Sequence, residues 1–181
     1  KIIPSKPTRI FVFPTFRKFT RKKMFGTHGF TPCKKTILIF INPLNKKWQD
    51  SLVHTTAHEF NHSVFFKFHK ADRFLDAFIF EGLAEHFREY ALGGVRAPWA
   101  KVLNTVQSKK MLLGLKKHWQ SRNYYKLYRS VFFGGKKYPW GAGYTIGYYI
   151  VKSFLKNNPR LAWGKIITLP PKEIFKRSSF V

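Results

Sequence analysis

Two histidines and a glutamate, spaced as in a metal-hydrolase helix, are the residues of this chain best suited to do chemistry. Segment 58–62 reads His-Glu-Phe-Asn-His, so its two histidines lie four residues apart. Residues at that spacing share one face of a helix, and both imidazoles can therefore reach a single metal ion. Glu59, next to the first histidine, is then placed to accept a proton from water that the metal activates. The pattern predicts a catalytic zinc site with His58 and His62 as ligands and Glu59 as general base.

A second segment, residues 80–86, supplies a candidate third ligand and a supporting carboxylate. It reads Phe-Glu-Gly-Leu-Ala-Glu-His, and Glu81 is the first of its two acids. Two histidines and one glutamate leave a fourth zinc position for water, which is typical of catalytic rather than structural sites. Glu85 lies one helical turn further on the same face, from where it can accept a hydrogen bond from a ligand histidine. We therefore expect one zinc ion (Zn²⁺) per chain, with Glu81 as its third ligand and Glu85 as the support of a ligand histidine.

These motifs must be positioned by a helical body that follows a small sheet. Residues 8–16 and 35–42 are rich in β-branched and aromatic residues and are predicted strands, with a loop over residues 17–33. Helical periodicity begins at Trp48, and helices are predicted over 48–69, 72–92, 98–118, 143–156 and 172–178. The sequence thus predicts a single α+β domain over residues 1–181, β-rich up to residue 45 and helical from residue 46.

The two motifs together resemble those of the gluzincin metallopeptidases. In that group an HExxH helix precedes a second helix that carries the glutamate ligand, as segments 58–62 and 80–86 would here. Over residues 36–180 the chain is most similar to a bacterial family of uncharacterised, predicted zinc-dependent proteases. The shared features include segment 97–99 (Ala-Pro-Trp) and segment 143–148 (Gly-Tyr-Thr-Ile-Gly-Tyr). The resemblance implies a zincin-like fold and hydrolysis of bonds in a peptide or protein substrate.

A peptidase also needs a donor for the negative charge that develops on the carbonyl oxygen. Tyr144 and Tyr148 lie four residues apart in a predicted helix, and similar gluzincins use a tyrosine or histidine on a later helix. We predict Tyr144 for this role and Tyr148 as second choice, with core packing as an equally good interpretation of either. Strand 35–42 is predicted to offer a sheet edge to the extended peptide. His54, one turn before the metal motif, is assigned a surface or packing role, with a pocket role as the alternative.

The strongly basic composition raises a competing hypothesis. Lysine and arginine number 34 against 8 acids, which gives a net charge of +26. Such a charge is typical of proteins that bind nucleic acid or anionic surfaces. The cations are scattered along the chain, however, and six of the 8 acids lie between residues 59 and 89. We therefore favour a basic surface around an acidic catalytic centre. A nucleic-acid or anionic-surface binding protein that retains a zinc site, or a pseudoenzyme scaffold, stays open as an alternative.

Cysteine content and apolar runs bear on the compartment. The single Cys33 excludes an internal disulfide and fits a reducing, cytoplasmic compartment. Because the chain begins at Lys1, removal of an N-terminal leader is left open. No apolar run approaches the roughly 18 residues of a membrane span, so none is predicted. The sequence gives no indication of an oligomeric state.

Overall fold

The N-terminal part of the chain forms a three-stranded mixed sheet. The computed structural model describes residues 7–94 and 96–181. The strands are β1 (Arg9–Pro14), β2 (Thr27–Cys33) and β3 (Thr36–Ile41), in the order β1-β3-β2. Strand β3 pairs in parallel with β1 and antiparallel with β2. Its β-branched run buries Ile37 and Ile39 completely, which explains why this segment is the central strand.

Two expectations about this region are wrong. The strand predicted over 35–42 lies in the middle of the sheet, so it offers no edge to a peptide. The loop predicted over 17–33 contains helix α1 (Lys18–Lys23) and the whole of β2. Glycine and proline within β2 give it little local strand propensity. Its conformation is decided instead by pairing with β3, with an irregularity between Phe30 and Cys33.

A helical body follows the sheet, and the predicted α+β class is therefore confirmed. Its helices are α2 (Trp48–Phe65), α3 (Phe74–Leu92), α4 (Thr105–Gly114), α5 (Tyr125–Phe133), α6 (Ala142–Asn157), α7 (Trp163–Ile166) and α8 (Pro171–Ser178). Within residues 7–94 and 96–181, none of the helices combines the length and the apolar character that a membrane crossing requires.

The helix predicted over 98–118 is in fact three elements. A 3-10 helix (Pro98–Ala100) comes first, α4 follows, and a second 3-10 helix (Lys116–His118) ends the region. The side chain of Asn104 accepts a hydrogen bond from the backbone of Gln107 at 2.8 Å, and the side chain of Gln107 accepts one from Asn104 at 2.9 Å. This reciprocal capping starts a new helix after Asn104. Helix α5 lies outside the predicted helices.

Helices α3 and α6 cross in direct backbone contact within the core. A Cβ at Gly82 would lie 2.2 Å from the carbonyl oxygen of Gly147, and a Cβ at Gly147 would lie 2.2 Å from that of Phe78. Only glycine fits at both positions. Buried apolar residues surround the crossing, among them Leu83, Ile146, Ile150 and Val151. The crossing fixes α6 against the helix that carries Glu81.

Candidate active site

Helix α2 presents the two predicted histidine ligands on one face. Its C-terminal half is buried, including Glu59 and His62, whereas His58 retains 13% side-chain exposure. The rings of His58 and His62 pack edge to face with centroids 4.6 Å apart. One possible ligand atom from each of His58, Glu59 and His62 lies within 4.8 Å of the others. The helical spacing therefore gathers three donors that could hold one metal ion.

Glu81 on α3 faces both histidines. Its Oε2 lies 3.2 Å from Nε2 of His58 and 3.5 Å from Nε2 of His62. The glutamate side chain is only 6% exposed, so this contact is almost entirely removed from solvent. Two imidazole nitrogens and a carboxylate oxygen thus converge, which is a donor set that suits zinc. The residues present fit the predicted metal.

Glu85, one turn further along α3, lies against the first histidine. It is completely buried, and its Oε1 lies 3.2 Å from Nδ1 of His58. The indole N–H of Trp99 donates to the same oxygen at 2.7 Å, and Arg88 donates to Oε2 through Nε at 3.3 Å and through a terminal nitrogen at 3.2 Å. A carboxylate fixed in this way can orient the His58 ring so that Nε2 faces the metal. Nδ1 of His62, by contrast, is buried and has no hydrogen-bond partner among the described residues.

Burial and mutual charge alter the proton affinities of this cluster. Burial lowers the pKa of His58, but its hydrogen bonds with Glu81 and Glu85 outweigh burial and raise that pKa to about 10. Burial alone would raise the pKa of Glu81, yet hydrogen bonds from His58 and His62 lower it well below its usual value. Without a metal, the two carboxylates that contact its ring nitrogens therefore favour the protonated form of His58. A divalent cation would supply the positive charge that these carboxylates otherwise draw from a proton.

The predicted base Glu59 points toward strand β2. Its Oε2 accepts a hydrogen bond of 2.7 Å from the hydroxyl of Thr31. A Cβ at Gly29 would lie 2.2 Å from Cγ of Glu59, so a glycine at this point of the strand leaves room for the carboxylate. The hydroxyl of Thr27 is bonded to that of Thr55 on α2 at 2.7 Å. The edge strand and the candidate base are therefore held together.

Tyr144 on α6 reaches the candidate centre. Its side chain lines the same cavity as Glu59. Burial raises the pKa of Tyr144 well above its usual value, and the nearby charges of Glu81, Glu85 and Glu59 raise it further. The phenol is therefore protonated throughout the neutral range and can donate a hydrogen bond.

The structure does not bring Tyr148 to this centre. Its hydroxyl donates to Oε2 of Glu89 at 3.1 Å, and its ring stacks on His86 with centroids 4.1 Å apart. The reason is position along α6: four residues advance a helix by about 6 Å. That advance carries Tyr148 beyond the crossing with α3, so of the two tyrosines Tyr144 is the one that lines the cavity with Glu59.

Three further side chains form hydrogen bonds with the predicted glutamates of the site. The sequence analysis did not predict this role for them. Tyr128 on α5 donates to Oε1 of Glu81 at 3.0 Å. Thr31 and Trp99, described above, bond the candidate base and the orienting carboxylate. Each of the three comes from a different element, so no local spacing connects it with the motifs. The only signal was the occurrence of Trp99 in a segment shared with the resembling family.

A cavity of about 590 Å³ opens in front of the candidate catalytic groups. His58, Glu59 and Tyr144 line it on one side. The apolar part of the lining comes from α1, the turn before β2, the first 3-10 helix and α5: Phe19, Met24, Phe25, Pro98, Trp99 and Phe133. His54 also lines the cavity, and its Nδ1 lies 3.3 Å from Arg88, which corresponds to its alternative pocket role. The volume suits a side chain together with adjoining main chain.

Comparison with known families agrees with this chemistry. The model of the family described as "Predicted Zn-dependent protease (DUF2268)" matches residues 1–176. Because the match covers almost the whole chain, the chain belongs to this family. The resemblance to predicted zinc-dependent proteases, drawn from the sequence motifs, is therefore confirmed. Neither a curated protein nor a solved structure gave a match.

Proposed function

We propose that this member of the predicted Zn-dependent proteases is a gluzincin-type peptidase that works with one zinc ion per chain. The observation that carries the proposal is the convergence of Nε2 of His58 and His62 on Oε2 of Glu81. The carboxylate of Glu59 lies beside these donors. A structural zinc ion is usually bound by four protein ligands, and such a site requires neither an additional carboxylate that could act as a base nor an adjoining cavity. Both features favour hydrolysis.

In the proposed hydrolysis, separate residues of the chain would bind the metal and transfer the proton. Zinc held by His58, His62 and Glu81 would polarise the substrate carbonyl and lower the pKa of a water molecule. Glu59 accepts the proton of the attacking water and passes it to the leaving amine. The hydrogen bond from Thr31 positions the Glu59 carboxylate against β2 for this role.

Tyr144 is the proposed donor to the carbonyl oxygen as negative charge develops there. Its position in the cavity lining beside Glu59 favours this role, and its neutral phenol can donate a hydrogen bond. Glu85 and Tyr128 do not touch the substrate in this proposal. They position His58 and Glu81, respectively, through the hydrogen bonds already described.

The peptide itself would add to β2 rather than to the central strand. In the part of the chain that the structure describes, β2 pairs on one side only, with β3. Main-chain hydrogen bonds to such an edge hold an extended peptide in register. Because Gly29 and Thr31 of this strand contact Glu59, a peptide on the edge would pass close to the base.

The decisive experiment compares wild type with Glu59→Gln for zinc content and for cleavage of a mixed peptide library. We expect one zinc per chain in both proteins and cleavage only by wild type. The exposed Glu173→Gln serves as the control and should cleave like wild type. Equal cleavage by Glu59→Gln would show that another group is the base. Zinc without cleavage by wild type would favour the pseudoenzyme scaffold, and absence of zinc would overturn the site.

The basic surface does not compete with this proposal. Glu59, Glu81 and Glu85 are all buried, so three of the 8 acids are unavailable to balance the exposed cations. The resulting charge favours association with polyanions in general. The cations are scattered along the chain rather than concentrated in one segment, and the nucleic-acid alternative therefore gains no specific support.

A further inference from the structure

The cavity in front of Glu59 is walled by aromatic rings that the fold leaves accessible. Phe19, Phe25 and Phe133 are 38%, 36% and 43% exposed, respectively. None of these rings carries a group that could act in hydrolysis. Exposed apolar side chains gathered around a cavity are typical of a binding surface, because a ligand gains free energy by removing them from water.

Phe25 is held toward the cavity in a backbone conformation that disfavours bulky residues. Its φ is +52°, in the left-handed region. The turn is fixed on both sides: Gly26 N–H donates to the carbonyl of Thr20 at 3.0 Å, and the Gly26 carbonyl accepts from Asn42 at 2.7 Å. A Cβ at Gly26 would lie 2.8 Å from Cβ of Trp48, so the turn is also packed tightly on α2. Strain of this kind persists where the surroundings impose it and is concentrated at functional sites.

Trp99 faces Phe25 and is fixed independently. The two ring centroids are 6.3 Å apart, and the indole N–H of Trp99 is bonded to the buried Glu85. Trp140 packs edge to face against Trp99 at 6.3 Å and against Phe19 at 6.2 Å. Of these four rings, Phe19, Phe25 and Trp99 line the cavity and form its aromatic wall, and Trp140 packs against two of them. Preorganised walls lose little entropy on binding.

We propose that this wall is a substrate subsite for a large apolar side chain next to the scissile bond, and that Phe25 is its specificity-determining residue. The inference rests on the proposed peptidase function and adds the substrate class. Discrimination by a hydrophobic pocket is about 10- to 200-fold for a single methylene. Wild type should therefore cleave a peptide with Phe or Leu at this position on the order of a hundred times better than one with Ala.

The test uses fluorogenic peptides that differ only in one residue beside the scissile bond: Ala, Leu, Phe, Asp or Lys. Phe25→Gly and Phe25→Ala both remove the ring, and each should reduce the Phe-over-Ala ratio in kcat/KM at least about tenfold. Glycine accepts the left-handed conformation, so Phe25→Gly should also have the higher Tm of the two. Phe68, which is 45% exposed and outside the cavity lining, provides the control Phe68→Ala with an unchanged ratio.

A binding measurement separates this inference from the proposed function. The same peptides are titrated into Glu59→Gln with and without Phe25→Gly, so that affinity is read without cleavage. Tighter binding of the Phe peptide than of the Ala peptide, lost in the double variant, supports the subsite even if wild type cleaves nothing. Equal affinities for the two peptides, or a Phe preference that survives removal of the Phe25 ring, would overturn it. A preference for the Asp or Lys peptide would do so as well.

Discussion

Glu85→Gln tests how the centre is assembled, because it removes a charge while keeping the shape of the side chain. The oxygens of Glu85 face His58, Trp99 and two nitrogens of Arg88. A glutamine presents one oxygen and one amino group in their place. The amino group must therefore oppose at least one N–H donor, whichever way the amide is turned.

The size of the effect follows from the burial of these groups. Removing one partner of a buried ion pair costs about 3–5 kcal/mol. Arg88 also lies 3.7 Å from the carboxylate of Glu89, which offsets part of the loss. We therefore expect Glu85→Gln to lower the free energy of unfolding by about 3 kcal/mol. Loss of the carboxylate that orients His58 should weaken zinc binding by about 10- to 100-fold.

Two assays measure these effects separately. Competition with a chromophoric chelator gives the zinc affinity, and urea unfolding in the presence of a strong chelator gives the stability of the metal-free protein. The exposed Glu173→Gln is the charge-matched control. If stability falls while the zinc affinity of Glu85→Gln stays at the wild-type value, the carboxylate does not orient a ligand. If neither quantity changes, the network around Glu85 has been misread.

Three further predictions concern neighbouring groups. Tyr128→Phe removes the hydrogen-bond donor to Glu81 and should weaken zinc binding roughly tenfold in the chelator titration, since a hydrogen bond to a charged group contributes about 1.5–3 kcal/mol. Tyr125→Phe, at the exposed start of α5, is the control and should leave zinc binding unchanged. Gly29→Ala places a methyl group against Glu59, so peptide cleavage should be lost while zinc content stays at one per chain. Burial lowers the pKa of His86 to about 4, so between its usual value of 6.5 and pH 4 only the unfolded chain gains this proton. Stability should therefore fall by about 3 kcal/mol as the pH decreases through that window, and urea unfolding of His86→Gln in the presence of chelator should lack this part of the decrease.

The parts of the site that could be predicted from sequence are those set within one helix. His58 and His62 share a face because they are four residues apart, and the same holds for Glu81 and Glu85. Helix geometry alone fixes these relations, whatever surrounds them. The class of the fold was accessible for a similar reason, since the apolar run of β3 and the helical periodicity after it are local patterns.

The parts that could not be predicted depend on which elements meet. Tyr144 and Tyr148 are indistinguishable by type and spacing, and only the crossing of α3 and α6 separates them. Strand β2 has poor strand propensity and exists because β3 pairs with it. Thr31, whose hydroxyl donates a hydrogen bond to Glu59, lies in this strand. It could not be predicted because the segment was expected to be a loop. Tyr128 was inaccessible in the same way, because α5 lies far from Glu81 along the chain.

The contact between Gly82 and Gly147 has a consequence for attempts to change the selectivity of the proposed peptidase in the laboratory. Because backbone meets backbone there, no choice of side chain can widen or narrow the gap without pushing the helices apart. Such a displacement would move Tyr144, the proposed oxyanion donor, relative to Glu81, the proposed third metal ligand. Libraries for new specificity should therefore vary Phe25, which lines the cavity and lies outside the crossing of α3 and α6.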